Sequence, residues 1–220
     1  MPKLFRLERD SIGEVEVSHD ALWGAQTQRS LNNFAIGEEK IPLKLIHAIV
    51  KIKRCAAIVN YRLGKLNRKN QQYIVEACKE IVNGKHEDQF PLSVWQTGSG
   101  TQTNMNVNEV ISNIASRTNG YELGSHQPLH PNDHVNRSQS TNDVFPAAIQ
   151  ISTVQEIRSN LLPEIVLLIK AFKKKESEWN KIIKIGRTHL QDAVPLTLGQ
   201  EVSAWKDQLL TAYDRLENSL

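Results

Sequence analysis

Leu198, Val202, Trp205, Leu209, Ala212, Leu216 and Leu220 recur at alternating four- and three-residue steps. An a/d stripe of this kind belongs to a helix whose apolar seam is covered by other helices. About 23 residues of helix would run ~34 Å, and one stripe of that length calls for a bundle. The stripe is still in phase at Leu220, with no Gly, Asn or Pro to close it, so a truncated element is expected there.

The same periodicity recurs upstream. Leu45, Ile46, Ile49, Ile52, Ala56, Val59 and Leu63 predict a helix from Pro42 to Leu66, with Pro42 suited to its first turn. A second helix is expected over 67–83, ended by Gly84, and a third over 105–117, stopped by Asn119-Gly120. Phe145, Ile149, Thr153, Ile157, Leu161, Ile165, Leu168 and Phe172 mark one long helix that Pro163 should kink or interrupt. One strand signal stands out: 5–9 and 14–17 alternate with period two around Asp10-Ser11-Ile12-Gly13, predicting a small hairpin. The fold class is therefore mainly α. The aperiodic stretch 121–136, with Pro128 and Pro131, reads as a loop at a boundary. A mostly helical domain is expected over 1–137 and an incomplete long-helix bundle over 138–220.

A net charge of +3 on 220 residues is too small to suggest a polyanion, and the basic clusters lack the aromatics that stack bases, so no nucleic-acid partner is expected. No apolar run reaches the ~18 residues of a membrane span, and Met1-Pro2-Lys3-Leu4-Phe5 lacks the apolar centre of a signal peptide. The expectation is a soluble, cytoplasmic protein without a membrane partner. Cys55 and Cys78 both fall in phase with apolar neighbours and are expected to be buried thiols.

Three islands of small polar residues interrupt the apolar pattern: Thr97 to Asn104, Ser138 to Asp143, and Gly186 to Asp192. Each is expected to lead into a helix. Hydroxyls, carboxamides and the free N–H groups of a helix start suit an anion, and each helix would add about half a positive charge. Ser99-Gly100-Thr101 or Ser140-Thr141-Asn142 alone reads equally well as a helix cap; two such islands together point to an anion. His189, between Thr188 and Gln191, adds a titratable imidazole, expected to be partly buried, which on composition alone reads at least as well as a capping or hydrogen-bonded structural histidine. Such an inventory suits proton transfer on a small carboxylate. His126, His130 and His134 are spaced for a metal only on a helix, which Pro128 and Pro131 oppose, so no metal is expected.

These stretches closely resemble class II fumarate hydratase of the fumarase/aspartase superfamily. The resemblance runs through Leu22 to Ser30, Trp95 to Gln102 with Asn104-Met105-Asn106, His130 to Asp133, Ser138 to Pro146, and Gly186 to Gln200. Aspartase is similar but resembles Gly-Arg-Thr-Gln where this chain has Gly186-Arg187-Thr188-His189. The resemblance implies a homotetramer built on long helices, with sites at the junction of three subunits. It implies hydration of fumarate to malate without metal or cofactor. In it Ser99, Gly100, Thr101, Ser140, Thr141, Asn142 and Thr188 hold the dicarboxylate, His189 with Thr188 is catalytic, and His130, Pro131, Asn132 and Asp133 form a second, outer carboxylate site.

Two residues depart from the family pattern: His134 stands where an aspartate is usual, and Thr141 where serine is common. A protonated His134 would be expected to strengthen the outer site for anions. The family's Gly-Ser-Ser loop with Met-Pro-x-Lys-x-Asn, carrying a catalytic serine and carboxylate-binding residues, has no counterpart in the sequence. The chain thus resembles about the amino-terminal half of the enzyme and is expected to be inactive or nearly so alone. Ammonia elimination from aspartate and a non-catalytic helical assembly piece are the alternative readings.

Overall fold

A computed structural model describes residues 4–220, so Met1, Pro2 and Lys3 of the leading segment lie outside it. Contacts divide the chain into two units, Met1–Ser152 and Thr153–Leu220.

The first unit opens on the expected hairpin, β1 (Phe5–Asp10) and β2 (Gly13–Ser18), paired antiparallel from Phe5 opposite Ser18 to Asp10 opposite Gly13. Asp10 Oδ1 makes the turn by accepting the Ile12 and Gly13 N–H groups at 2.8 and 3.2 Å. Its other oxygen takes Arg29 Nε at 2.8 Å, which ties the hairpin to α1 (Ala25–Asn33). The Arg29 hydrogen bond holds the Asp10 carboxyl below its usual range. The N-terminus of α1 is capped from a distance: buried Glu109 accepts the N–H groups of Gly24, Gln26 and Thr27 and the Thr27 hydroxyl, at 2.9, 2.8, 3.2 and 2.6 Å. Burial outweighs those four donors and leaves its carboxyl pushed up to about 7.

The core lies among α2 (Leu43–Arg62), α3 (Arg68–Val82) and α4 (Thr101–Thr118), packing Ile46, Ile49, Ile74, Ile81, Val107, Val110 and Ile111. α3 begins where expected because Asn67 caps it, its side chain accepting the Asn70 N–H at 2.8 Å. α4 begins at Thr101, a turn before the expected 105, because its first turn is polar and leaves no apolar period. The inward face of α2 also differs from its apolar stripe. Lys53, Ala57 and Asn60 are buried while Val59 and Leu63 are 49% and 65% exposed. Cys78 is buried as expected, but Cys55 is exposed, on the outer side of that turn.

α5 (Thr141–Glu156) carries the chain across the division between units. In the second unit the helical backbone widens to a π turn over Ile157–Leu161 before α6 (Leu162–Glu178). Pro163 lacks an N–H, and its ring needs room one turn back; the widened turn supplies it. The expected interruption is therefore a local widening.

The third island corrects the sequence reading. In place of a helix start, β3 (Ile183–Thr188) and β4 (Gln191–Thr197) form a second antiparallel hairpin, with a bulge between Ile185 and Arg187. α7 (Leu198–Asn218) follows, with Thr197 and Gln200 closing a capping box. α7 packs on α6. Of its stripe, Val202 is buried and Leu209, Ala212 and Leu216 are half-buried, while Trp205 is 44% exposed. Among the described residues, no helix is long and apolar enough to cross a membrane.

Candidate functional site

The first two islands meet inside the first unit. Gly100 is the N-cap of α4, with φ of 71°, and its Cα faces the ring of Phe145 on α5 so closely that a Cβ would overlap Cγ, Cδ1 and Cδ2. Only glycine combines that left-handed backbone with so close an approach. Asn104, one turn into α4, donates Nδ2 to Thr141 Oγ1 at 2.9 Å and to Asn136 Oδ1 at 3.2 Å. The starts of α4 and α5 are thereby joined, side chain to side chain.

Around this junction the polar groups remain open. Ser99, Thr101, Ser140 and Asn142 are exposed and Thr141 is half-buried. Thr97, Ser99 and Thr101 form a run of hydroxyls 3.1 Å apart, and Gln96 Oε1 accepts both the N–H and the hydroxyl of Thr103, at 3.1 and 2.9 Å. The N-cap of α4, Gly100, has no side chain to occupy the first N–H groups of that helix. Ser140 Oγ accepts the Asn142 N–H at 3.3 Å. Pro146 has no N–H for the Asn142 carbonyl one turn back. Two helix starts rich in donors make an anion-accepting surface, with Asp143 in the first turn of α5 the one carboxylate of the two islands.

The outer-site residues also lie in the first unit. Pro131–Val135 is a π turn whose N-cap, His130, accepts the Asp133 N–H on Nδ1 at 3.1 Å; the same nitrogen is 3.3 Å from Asp133 Oδ2. His130, Pro131 and Asn132 line a cavity of about 380 Å³ with Arg9, Gln26 and His126. The His126 and His130 rings meet edge-on, centroids 4.7 Å apart. Burial pushes the imidazoles of His126 and His134 below their usual range. His134 Nδ1 accepts the His130 N–H at 2.8 Å, a bond that requires that nitrogen unprotonated. In its neutral form His134 thus braces the turn, and protonation, which burial shifts to lower pH, would break that bond before the ring could serve an anion. The described residues contain no group of three or more His, Cys, Asp or Glu that could hold a metal ion.

Thr188 and His189 lie in the second unit, at the tip of the β3–β4 hairpin. His189 and Leu190 form its two-residue turn with φ of 51° and 61°, the pair of left-handed conformations that a type I′ turn needs. Neither is glycine or asparagine, so the turn is strained. Thr188 and His189 are exposed, and Leu190 is 95% exposed; the expected partial burial of the imidazole is not found. The imidazole is presented to solvent from a tightly turned tip.

Asn104, read from the sequence as the last residue of the first island, Phe145, read as the start of an apolar stripe, and Asn136 join the two islands. Their pairing leaves no trace in local spacing, because it joins residues 32 and 37 positions apart.

Among known proteins, the family described as Lyase matches residues 13–220. The class II fumarate hydratase of a Prochlorococcus marinus strain is 70% identical over 220 residues, 100% of this chain and 47% of that protein. The solved structure of recombinant class II fumarase from Schistosoma mansoni matches with a TM-score of 0.88 at 46% identity, covering 96% of this chain and 44% of the other. A structure described as fumarate lyase:delta crystallin from Brucella melitensis matches at 0.91 and 42% identity, covering 97% and 48%. The chain spans about half the length of the curated relatives it matches. The mainly helical fold is shared with these structures.

Proposed function

Because this chain belongs to the Lyase family, matched over residues 13–220, we propose that it supplies the dicarboxylate-holding part of a class II fumarate hydratase, which hydrates fumarate reversibly to malate. The observation that carries this reading is the junction of the two islands, where Asn104 reaches Thr141 at 2.9 Å and Phe145 seats Gly100. Ser99, Gly100, Thr101, Ser140, Thr141, Asn142 and Thr188 hold the dicarboxylate. In the direction of malate dehydration, removal of the C3 proton builds a doubly charged aci-carboxylate, and donors aimed at that group lower the barrier; loss of one typically costs ~10²–10³ in rate. His189 activates or protonates the water or hydroxyl at C2, in a site completed by Thr188. His130, Pro131, Asn132 and Asp133 form the outer carboxylate site.

Residues 1–137 are the amino-terminal domain in this reading, and 138–220 begin the central bundle. The exposed Leu167 and Leu168 of α6 and Trp205 and Leu210 of α7, 43–57% exposed, support packing against further helices in a homotetramer. The protein works in the cytoplasm, without a metal or cofactor, and the 220-residue chain alone turns malate over slowly or not at all.

The test joins the chain, after Leu220, to the carboxy-terminal half of the Prochlorococcus marinus enzyme and follows fumarate absorbance with malate as substrate. The fusion is expected to be active and the chain alone nearly inactive. A folded fusion inert towards malate would refute the reading, and fumarate release from aspartate instead would identify an ammonia-lyase. Turnover by the chain alone comparable to that of the fusion would refute the expected inactivity.

A further inference from the structure

Lys53 has no part in the site as described, yet its side chain is wholly excluded from solvent at 0% exposure. From α2 its Nζ donates to Asn136 Oδ1 at 2.6 Å. That oxygen also accepts Asn104 Nδ2 at 3.2 Å, and the same Nδ2 donates to Thr141 Oγ1 at 2.9 Å. About two turns further along α2, Asn60 Nδ2 donates to the Arg137 carbonyl at 2.9 Å. One buried face of α2 therefore grips the segment leading into Ser138–Asp143 at two points.

An ammonium group brought out of water costs several kcal/mol unless a counter-charge or a full set of acceptors repays it. Among the described residues Lys53 has no carboxylate partner. Burial pushes the Lys53 amine down to about 7, and Cys78, the titratable group beside it, is a thiol that burial pushes up to about 12 and so keeps neutral. An apolar side chain of equal length would fill this place at lower cost, so packing does not account for a lysine here.

Hydrogen-bond direction does. Lys53 donates to Asn136 Oδ1 at 2.6 Å while the Gln139 carbonyl takes Asn136 Nδ2 at 3.3 Å, so both neighbours hold the Asn136 oxygen towards Lys53. Asn104 then meets an oxygen and must present its own Nδ2. The Thr141 hydroxyl, receiving from that nitrogen, keeps its own proton free to donate elsewhere. We propose that Lys53 is a positioning residue of the dicarboxylate site: through Asn136 and Asn104 it orients the Thr141 hydroxyl proton towards the bound carboxylate. The inference rests on the reading of Ser140–Asn142 as carboxylate-holding.

The test uses Lys53→Met, similar in length and without a donor. In the fusion with the Prochlorococcus marinus half, KM for malate is expected to rise about tenfold with a smaller change in kcat, as lost uniform binding requires, while the melting temperature stays level or rises. Because Lys53 acts through one hydroxyl, adding Lys53→Met to Thr141→Val should cost nothing further. A lowered melting temperature with KM at the parent value would assign Lys53 a structural role only, and additive losses in the double variant would equally overturn the proposal. If the parent fusion lacks malate turnover, the functional reading has failed rather than the relay, which the chain alone then tests. Its Asn104 and Asn136 side-chain amide resonances should move on Lys53→Met, and unchanged resonances would overturn the relay.

Discussion

Gly100→Ala should destabilise the first unit through two separable effects. At φ of 71° an L-residue costs about 1 kcal/mol relative to glycine. The added methyl would also overlap the Phe145 ring, and forcing an extra carbon into a packed contact costs about 1–3 kcal/mol. Together they predict a loss of about 2–4 kcal/mol, or roughly 5–15 °C in melting temperature for a unit of this size. Urea unfolding followed by circular dichroism measures the sum, and a double-mutant cycle with Phe145→Ala separates its parts. Without the ring, Gly100→Ala should cost only the backbone term, giving a coupling of about 1–3 kcal/mol. Additive losses would mean that Phe145 does not hold Gly100, and a total loss below about 1 kcal/mol would refute the left-handed cap itself.

Leu190→Gly should stabilise the second unit by about 0.5–1 kcal/mol in thermal melts, because it relieves a left-handed leucine that is 95% exposed and packs little; a loss of stability would contradict the turn geometry. Glu109, raised to about 7 from an ordinary 4.5, contributes stability that is fully present below pH 4.5 and lost as pH rises through 7. The unfolding free energy of the parent should therefore fall by about 3 kcal/mol relative to Glu109→Gln across that window, at 1.36 kcal/mol per pH unit, whereas a flat difference would place the carboxyl in its ordinary range. Nitrogen chemical shifts should show His134 protonated on Nε2 alone at neutral pH and titrating below 6.5, and a protonated Nδ1 would break the assigned bond to His130. In the active fusion, His189→Gln should lower kcat by at least ~10² with no change in melting temperature, since the exposed ring supports no packing; retained activity would remove His189 from the chemistry.

The helices were legible where a buried stripe and a cap coincide. Asn67 and Gly84 bracket α3, and the apolar repeat of α2 placed that helix within a few residues, because burial selects side chains at helical spacing. The β1–β2 hairpin was equally plain, since its strands alternate and Asp10 builds its turn. The β3–β4 hairpin was hidden for the opposite reasons: Gly186 and Pro195 break the alternation, and His189-Leu190 replaces the glycine or asparagine that announces such a turn.

The amino-acid sequence by itself determined which donors this protein carries and the helices that bury a periodic apolar stripe, because both follow from residue type and near-neighbour spacing, whereas α1, with no such stripe, was not legible. Tertiary structure alone decided that Asn104 meets Thr141, that Phe145 covers Gly100, and that Lys53 faces inward while Val59 does not. Those outcomes depend on how each helix is rotated against its neighbours, which is settled by packing and hydrogen bonding between residues distant in the chain.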